Sequence, residues 1–170
     1  MPNIYLTGMM GSGKTVTGRK LAILMHYTFV DLDEMIQTRT KKTIAQIFAE
    51  DGENYFRREE SYLLREVSRL NARVVATGGG SVLRSENVQC MHDTGKIIYL
   101  ETSFEILWQR VKDKKDRPLL KSDDPKAALS RIYAERQEAY GGSYDFRVAT
   151  DGLTAEAVAK KIYEGLMQKT

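Results

Sequence analysis

Along this chain, short apolar runs alternate with longer segments whose apolar residues recur every three or four positions. The runs at 3–7, 28–31, 74–77, 97–100 and 146–149 read as buried strands. Between them the spacing predicts helices. One spans 14–25 and carries Leu21, Leu24 and Met25; two short ones follow at about 33–38 and 43–50. A longer helix over about 54–70 places Phe56, Glu60, Leu63, Leu64 and Val67 on a mostly apolar stripe. Thr102 and Glu105 form a capping-box pattern ahead of Ile106, Leu107, Trp108 and Val111. Asp124 and Pro125 supply a cap and first-turn proline for a helix reaching about Tyr140, and Val158, Ile162 and Leu166 mark a last amphipathic helix. Apolar strands separated by helices define an α/β fold, a three-layer sandwich with a parallel sheet covered on both faces. In such sheets the ligand lies beyond the carboxyl ends of the strands.

Composition narrows the partners. The 170 residues suit one domain, and a hydrophobic fraction of 42% with 29% charged residues is that of a soluble protein. A net charge of +3, with basic residues spread along the chain, argues against a nucleic-acid platform, although local arginines would still attract anionic substrates. No stretch approaches a membrane span, and the first strand begins too close to Met1 to leave a cleavable leader. The lone Cys90 excludes an internal disulfide and is expected in or near the core. Cytoplasmic residence is the expectation. The charged stretch at 112–124 has no apolar period, and reads either as a solvated loop or as a flap over bound phosphates.

The chemistry gathers at the strand ends. After the first strand comes Gly8-Met9-Met10-Gly11-Ser12-Gly13-Lys14-Thr15, a complete phosphate-binding loop. Its glycines let backbone N–H groups surround a polyphosphate, Lys14 reaches the outer phosphates, and the Thr15 hydroxyl can ligate Mg²⁺. The helix that follows points its positive dipole end at the same anion. A nucleoside triphosphate is therefore expected. Asp31-Leu32-Asp33 closes the second strand, where alternation lets both carboxylates face one way. One suits the neighbourhood of Mg²⁺, through its waters, and the other suits accepting a proton from an attacking hydroxyl. Taken alone, Asp33 also admits the less favoured reading of a helix N-cap beside a solvated acid. Gly78, Gly79 and Gly80 after the third strand let a ligand lie against backbone. Arg57, Arg58, Arg117 and Arg136 offer forks for a carboxylate or phosphate, but spacing alone assigns none of them.

Together these motifs resemble the shikimate kinase family nearly end to end. The resemblance rests on the phosphate loop, Asp31-Leu32-Asp33, Phe56-Arg57-Arg58-Glu59-Glu60, Thr77-Gly78-Gly79-Gly80 and Arg117-Pro118-Leu119-Leu120. It implies a nucleoside monophosphate kinase-like P-loop fold with strand order 2-3-1-4-5. The implied activity is transfer of phosphate from ATP to the 3-hydroxyl of shikimate, with ATP and Mg²⁺ as cofactors and a monomer as the working unit. It also implies roles. Gly11, Ser12, Gly13, Lys14, Thr15, Val16, Arg110 and Arg117 would hold the nucleotide, with Arg110 near the adenine. Thr15 and Asp31 would serve the metal. Asp33, Arg57, Gly78, Gly79, Gly80 and Arg136 would hold shikimate between helices of about 33–60 and a lid of about 112–124. Asp33, Lys14 and Arg117 would be catalytic, and the family motif favours Arg57 over Arg58.

The chain departs from the family at two points. Val16 stands where a second hydroxyl residue is common, and Arg136-Gln137-Glu138-Ala139-Tyr140 lacks the usual proline. The adenine-contacting loop falls near Asp151 and Gly152, where the family's pattern gives no secure match. Another sugar-acid or nucleotide kinase on the same scaffold is the nearest alternative, and a silent nucleotide-binding subunit is the alternative from another class. No Asn-Lys-x-Asp guanine motif occurs, which disfavours a GTPase switch.

Overall fold

The structure is a computed structural model that describes residues 1–114 and 116–168. Five parallel strands, β1 (Asn3–Thr7), β2 (Thr28–Asp31), β3 (Arg73–Ala76), β4 (Gly95–Glu101) and β5 (Phe146–Ala149), pair in the order 2-3-1-4-5. The central strand β1 has a neighbour on each side, with Ile4 paired to Val74 and to Lys96. All five of its residues are buried, which is why its sequence shows a continuous apolar run rather than alternation.

The pleat sorts the core into two layers. Ile4 and Leu6 of β1, with Ile98 and Leu100 of β4, pack under α1 (Lys14–Met25) and α8 (Ala155–Met167) through Leu21, Val158 and Ile162. Tyr5, Ile97 and Tyr99 face the opposite layer. That layer holds α2 (Leu32–Thr40), α3 (Ile44–Glu50), α4 (Glu53–Ser68), α5 (Ser85–Thr94), α6 (Phe104–Val111) and α7 (Pro125–Gly141). No helix among the described residues is long and apolar enough to cross a membrane.

Two local readings need correction. Helix α5 was not expected, because Ser85–Thr94 is mostly polar and buries only Asn87 and Met91. A helix that lays one narrow edge on the core leaves no apolar stripe to read. The capping box at Thr102 and Glu105 does not form. Helix α6 starts one residue later with Ser103 at its N-cap, and no side chain caps it. Thr102 is instead buried, its hydroxyl 2.6 Å from that of Thr150, and the Ser103 N–H donates to the Asp151 carboxylate at 3.1 Å. Asp124 does cap α7, accepting from the Ala127 N–H at 3.0 Å ahead of the first-turn proline. Cys90 is half-buried. Within the charged stretch at 112–124, Lys115 lies outside the described residues. The rest includes a short 3₁₀ turn, Pro118–Leu120, pinned by the buried Leu120.

Candidate active site

The phosphate loop leaves β1 and enters α1 through Gly13, whose φ of 92° is costly for any residue with a Cβ. No side chain caps α1, so its first N–H groups remain directed at whatever anion lies in front of them. The Lys14 ammonium arches over the loop and donates to the carbonyls of Gly8 (2.7 Å) and Met9 (3.0 Å). Burial draws its pKa down to about 8, against the opposing pull of the Asp33 carboxylate. Arg110 reaches from α6 to the Gly11 carbonyl at 2.9 Å and closes the far side.

The acids come next. Asp31, not Asp33, caps α2: its Oδ1 accepts from the N–H groups of Asp33 (3.0 Å) and Glu34 (3.4 Å). Its Oδ2 accepts from the Thr15 hydroxyl at 2.6 Å, so one carboxylate ties α1 to α2. Both aspartates do line the site, but the cause is not strand alternation, because Asp33 already stands in the first turn of α2. Asp33 Oδ1 is buried without a hydrogen-bond partner. Burial, then the charges of Glu60 and Asp31, push its carboxyl pKa up to about 6.

Helix α4 supplies Arg57 and helix α7 supplies Arg136, and the two guanidiniums differ in one respect. Arg57 is anchored: Nη1 donates to Glu60 Oε2 at 3.0 Å, while Nε and Nη2 donate to Glu53 Oε1 at 3.3 and 3.1 Å. Glu60 is fully buried and also accepts from the Ser81 hydroxyl at 2.6 Å. Arg136 is 5% exposed and makes no ion pair to a carboxylate among the described residues. A buried cation without an anion is expensive unless a ligand supplies the charge. Arg58, by contrast, is exposed and lies over the Tyr55 ring. A methyl group at Gly80 would run into the Arg57 guanidinium, which explains a glycine there. Arg117, from the charged stretch, has a buried Nε that makes no hydrogen bond.

These groups surround two adjoining cavities. One, of about 500 Å³, is lined by Gly11, Ser12, Gly13, Lys14, Thr15, Val16 and Arg110, with Thr150, Leu153 and Val158 beyond them. The other, of about 460 Å³, is lined by Arg57, Gly78, Gly80 and Arg136 and by an apolar wall that includes Ile44, Phe48, Pro118 and Leu119. Met10, Thr15, Asp31, Asp33, Gly79 and Arg117 line both. The residues to which the family likeness gives a role thus all stand on one of these walls, and Arg58 does not. What sequence reasoning missed is the support. Glu60 was placed on the α4 stripe with no role, although its spacing of three from Arg57 puts both on one helix face. Nothing in the chain marked Ile44 and Phe48 as cavity walls.

A parallel sheet whose first turn is a phosphate-binding loop, opening onto a second cavity fitted with acids and with a guanidinium that has no carboxylate partner among the described residues, makes this a P-loop small-molecule kinase. A family model for shikimate kinase matches residues 10–167. A shikimate kinase of Prochlorococcus marinus is 42% identical over 97% of this chain and 87% of its own length. The structure of shikimate kinase from Acinetobacter baumannii in complex with shikimate superposes with a TM-score of 0.97 at 36% identity, covering 100% of this chain and 95% of that one. Shikimate kinase from Aquifex aeolicus superposes with a TM-score of 0.86 at 35% identity, over 98% of this chain and 97% of that one. The chain belongs to the shikimate kinase family.

Proposed function

We propose that the cavity at the phosphate loop takes MgATP and the adjoining one takes shikimate, whose 3-hydroxyl receives the γ-phosphoryl group to give shikimate 3-phosphate and ADP. The observation that carries this reading is the shared wall. Asp33, Thr15, Gly79 and Arg117 border both cavities, so a nucleotide and an acceptor would meet there end to end. Buried Arg136, with no carboxylate partner among the described residues, lines the acceptor cavity and suits a small carboxylate. Arg57, held in register by Glu53 and Glu60, retains free N–H donors for the same group.

Catalysis would come from positioning and charge. The orphaned Asp33 oxygen accepts the proton of the attacking hydroxyl; with a pKa of about 6 the carboxylate is largely ionised at neutral pH yet still basic enough for the task. Lys14 and Arg117 offset the charge that spreads over the phosphoryl oxygens. The Thr15 hydroxyl and the Asp31 carboxylate are adjacent hard oxygen donors, a fit for Mg²⁺, which takes one or two protein oxygens beside phosphates and waters. When bound with the nucleotide, Mg²⁺ supplies positive charge across its outer phosphates. The segment of about 112–124 acts as a lid that carries Arg117 onto the site and excludes water. Both half-sites lie within one chain, which supports a monomer as the working unit. The composition supports a cytoplasmic enzyme.

A coupled assay of ADP release with shikimate, gluconate and AMP as acceptors tests this. Turnover with shikimate is expected; turnover only with another acceptor overturns the assignment.

A further inference from the structure

Tyr140, in the last turn of α7, is 1% exposed and has no part in the mechanism above. Its hydroxyl donates to the Gly79 carbonyl at 2.5 Å. Its ring is stacked on Tyr99 of β4, with centroids 4.9 Å apart and planes 12° apart, and Tyr99 is stacked in turn on Tyr144 at 5.8 Å. The phenol is therefore held in one direction, toward the shared wall of the two cavities. Arg136 lies one turn earlier on the same helix, and its guanidinium neighbours the phenol oxygen. The glycine is wedged against that guanidinium: a Cβ on Gly79 would stand 3.3 Å from Arg136 Nη1.

We propose that Tyr140 is a positioning residue of the acceptor cavity, its hydroxyl locking the Gly79 carbonyl so that the glycine wall and the Arg136 fork keep a fixed spacing. A planar trans peptide points the Gly79 carbonyl and the Gly80 N–H in opposite directions, so holding one sets the other. Gly80 in turn backs onto Arg57, and a single hydroxyl thereby registers both guanidiniums against the glycine wall. A buried tyrosine satisfied by any convenient carbonyl would also account for a hydrogen bond. The carbonyl it reaches belongs to a residue that lines both cavities and packs against Arg136, which a merely convenient acceptor need not do. Burial also pushes the phenol pKa up, so the group remains a donor at every physiological pH.

The inference rests on shikimate as acceptor, so wild-type turnover of shikimate is measured first; its absence would be a failure of that reading rather than of this one. In Tyr140→Phe the ring and its stacking remain and only the oxygen is lost. We expect the KM for shikimate to rise roughly tenfold, the ATP KM to stay within twofold, and kcat to change by less than about threefold. A Tyr99→Leu variant, which loosens the stack but keeps the Tyr140 hydroxyl, is expected to raise the shikimate KM in the same direction by a smaller factor. Equal changes in both KM values, or an unchanged shikimate KM with only a lower thermal midpoint, would make Tyr140 a structural residue and overturn the proposal.

Discussion

The two cavities are built on different principles. The nucleotide side is built around a single stretch of chain, Gly8 to Thr15, which offers backbone N–H groups and one helix terminus, with Arg110, Thr150, Leu153 and Val158 completing its walls. The acceptor side is assembled from side chains on α2, α4 and α7 and the segment before the Pro118–Leu120 turn, with Asp33 and Arg136 far apart in sequence. A contiguous loop is fixed by local geometry, because each glycine conformation is set by its neighbours. A dispersed site is fixed only by packing, and it needs supports such as Glu60 and Ser81 that touch no ligand. Changes on the acceptor side should therefore be separable by substrate, whereas damage at the shared wall should stop the reaction outright.

The largest effect is expected at that wall. Asp33→Asn removes the proposed base and should lower kcat by about 10²–10⁴ in a steady-state assay. The same variant should be more stable. The Asp33 carboxyl pKa lies at about 6, above an ordinary 3.8, so the folded state binds its proton more tightly than the unfolded chain does. Its contribution to stability therefore falls as pH rises through that interval, and the deficit is complete above pH 6. Removing the ionisable group should raise stability at pH 7.5 by an amount on the order of 2 kcal/mol, read by thermal or urea unfolding. Lower stability together with unchanged turnover would dissolve the distinction between shared wall and periphery.

Next come the two guanidiniums, which sharpen the contrast within the acceptor side. Arg57→Ala and Arg136→Ala should each cost about 2–3 kcal/mol of shikimate affinity and leave the ATP KM nearly unchanged. They should differ in stability. Loss of Arg57 strands the fully buried Glu60 and should destabilise the fold by about 3 kcal/mol, whereas loss of the unpaired Arg136 should leave the unfolding midpoint level or higher. The pH profile follows. Activity should fall as pH drops through about 6, where Asp33 gains a proton, and the ATP KM of the free enzyme should rise above about pH 8, where Lys14 loses one. The smallest effect concerns Val16, which is 55% exposed at the rim of the nucleotide cavity. Val16→Ser, restoring a hydroxyl, should tighten ATP by about 0.5 kcal/mol without moving the shikimate KM.

The same contrast explains what could be read from the chain. The bounds of β1, α1, β2 and β5 coincide with the expected ones, because runs of buried apolar residues and a glycine-lysine turn are local signals. The strand order followed from the family likeness, since pairing in a parallel sheet is not written in any short segment. Helix α5 escaped because it is polar on most of its surface, and the Thr102 cap failed because a buried partner, Thr150, outcompeted the helix terminus. In the site, the phosphate loop was legible residue by residue. The arginines were legible only as candidates: whether a guanidinium is tied to acids, like Arg57, or has none among the described residues, like Arg136, depends on what folding brings near.

The most direct measurement is calorimetric titration of shikimate and of its uncharged carboxamide into the wild-type enzyme and into Arg136→Ala. We expect the wild type to bind the acid roughly a hundredfold more tightly than the amide, and the variant, which keeps Arg57, to lose most of that preference. Equal affinities for acid and amide in the wild type would contradict an acceptor cavity built around a carboxylate.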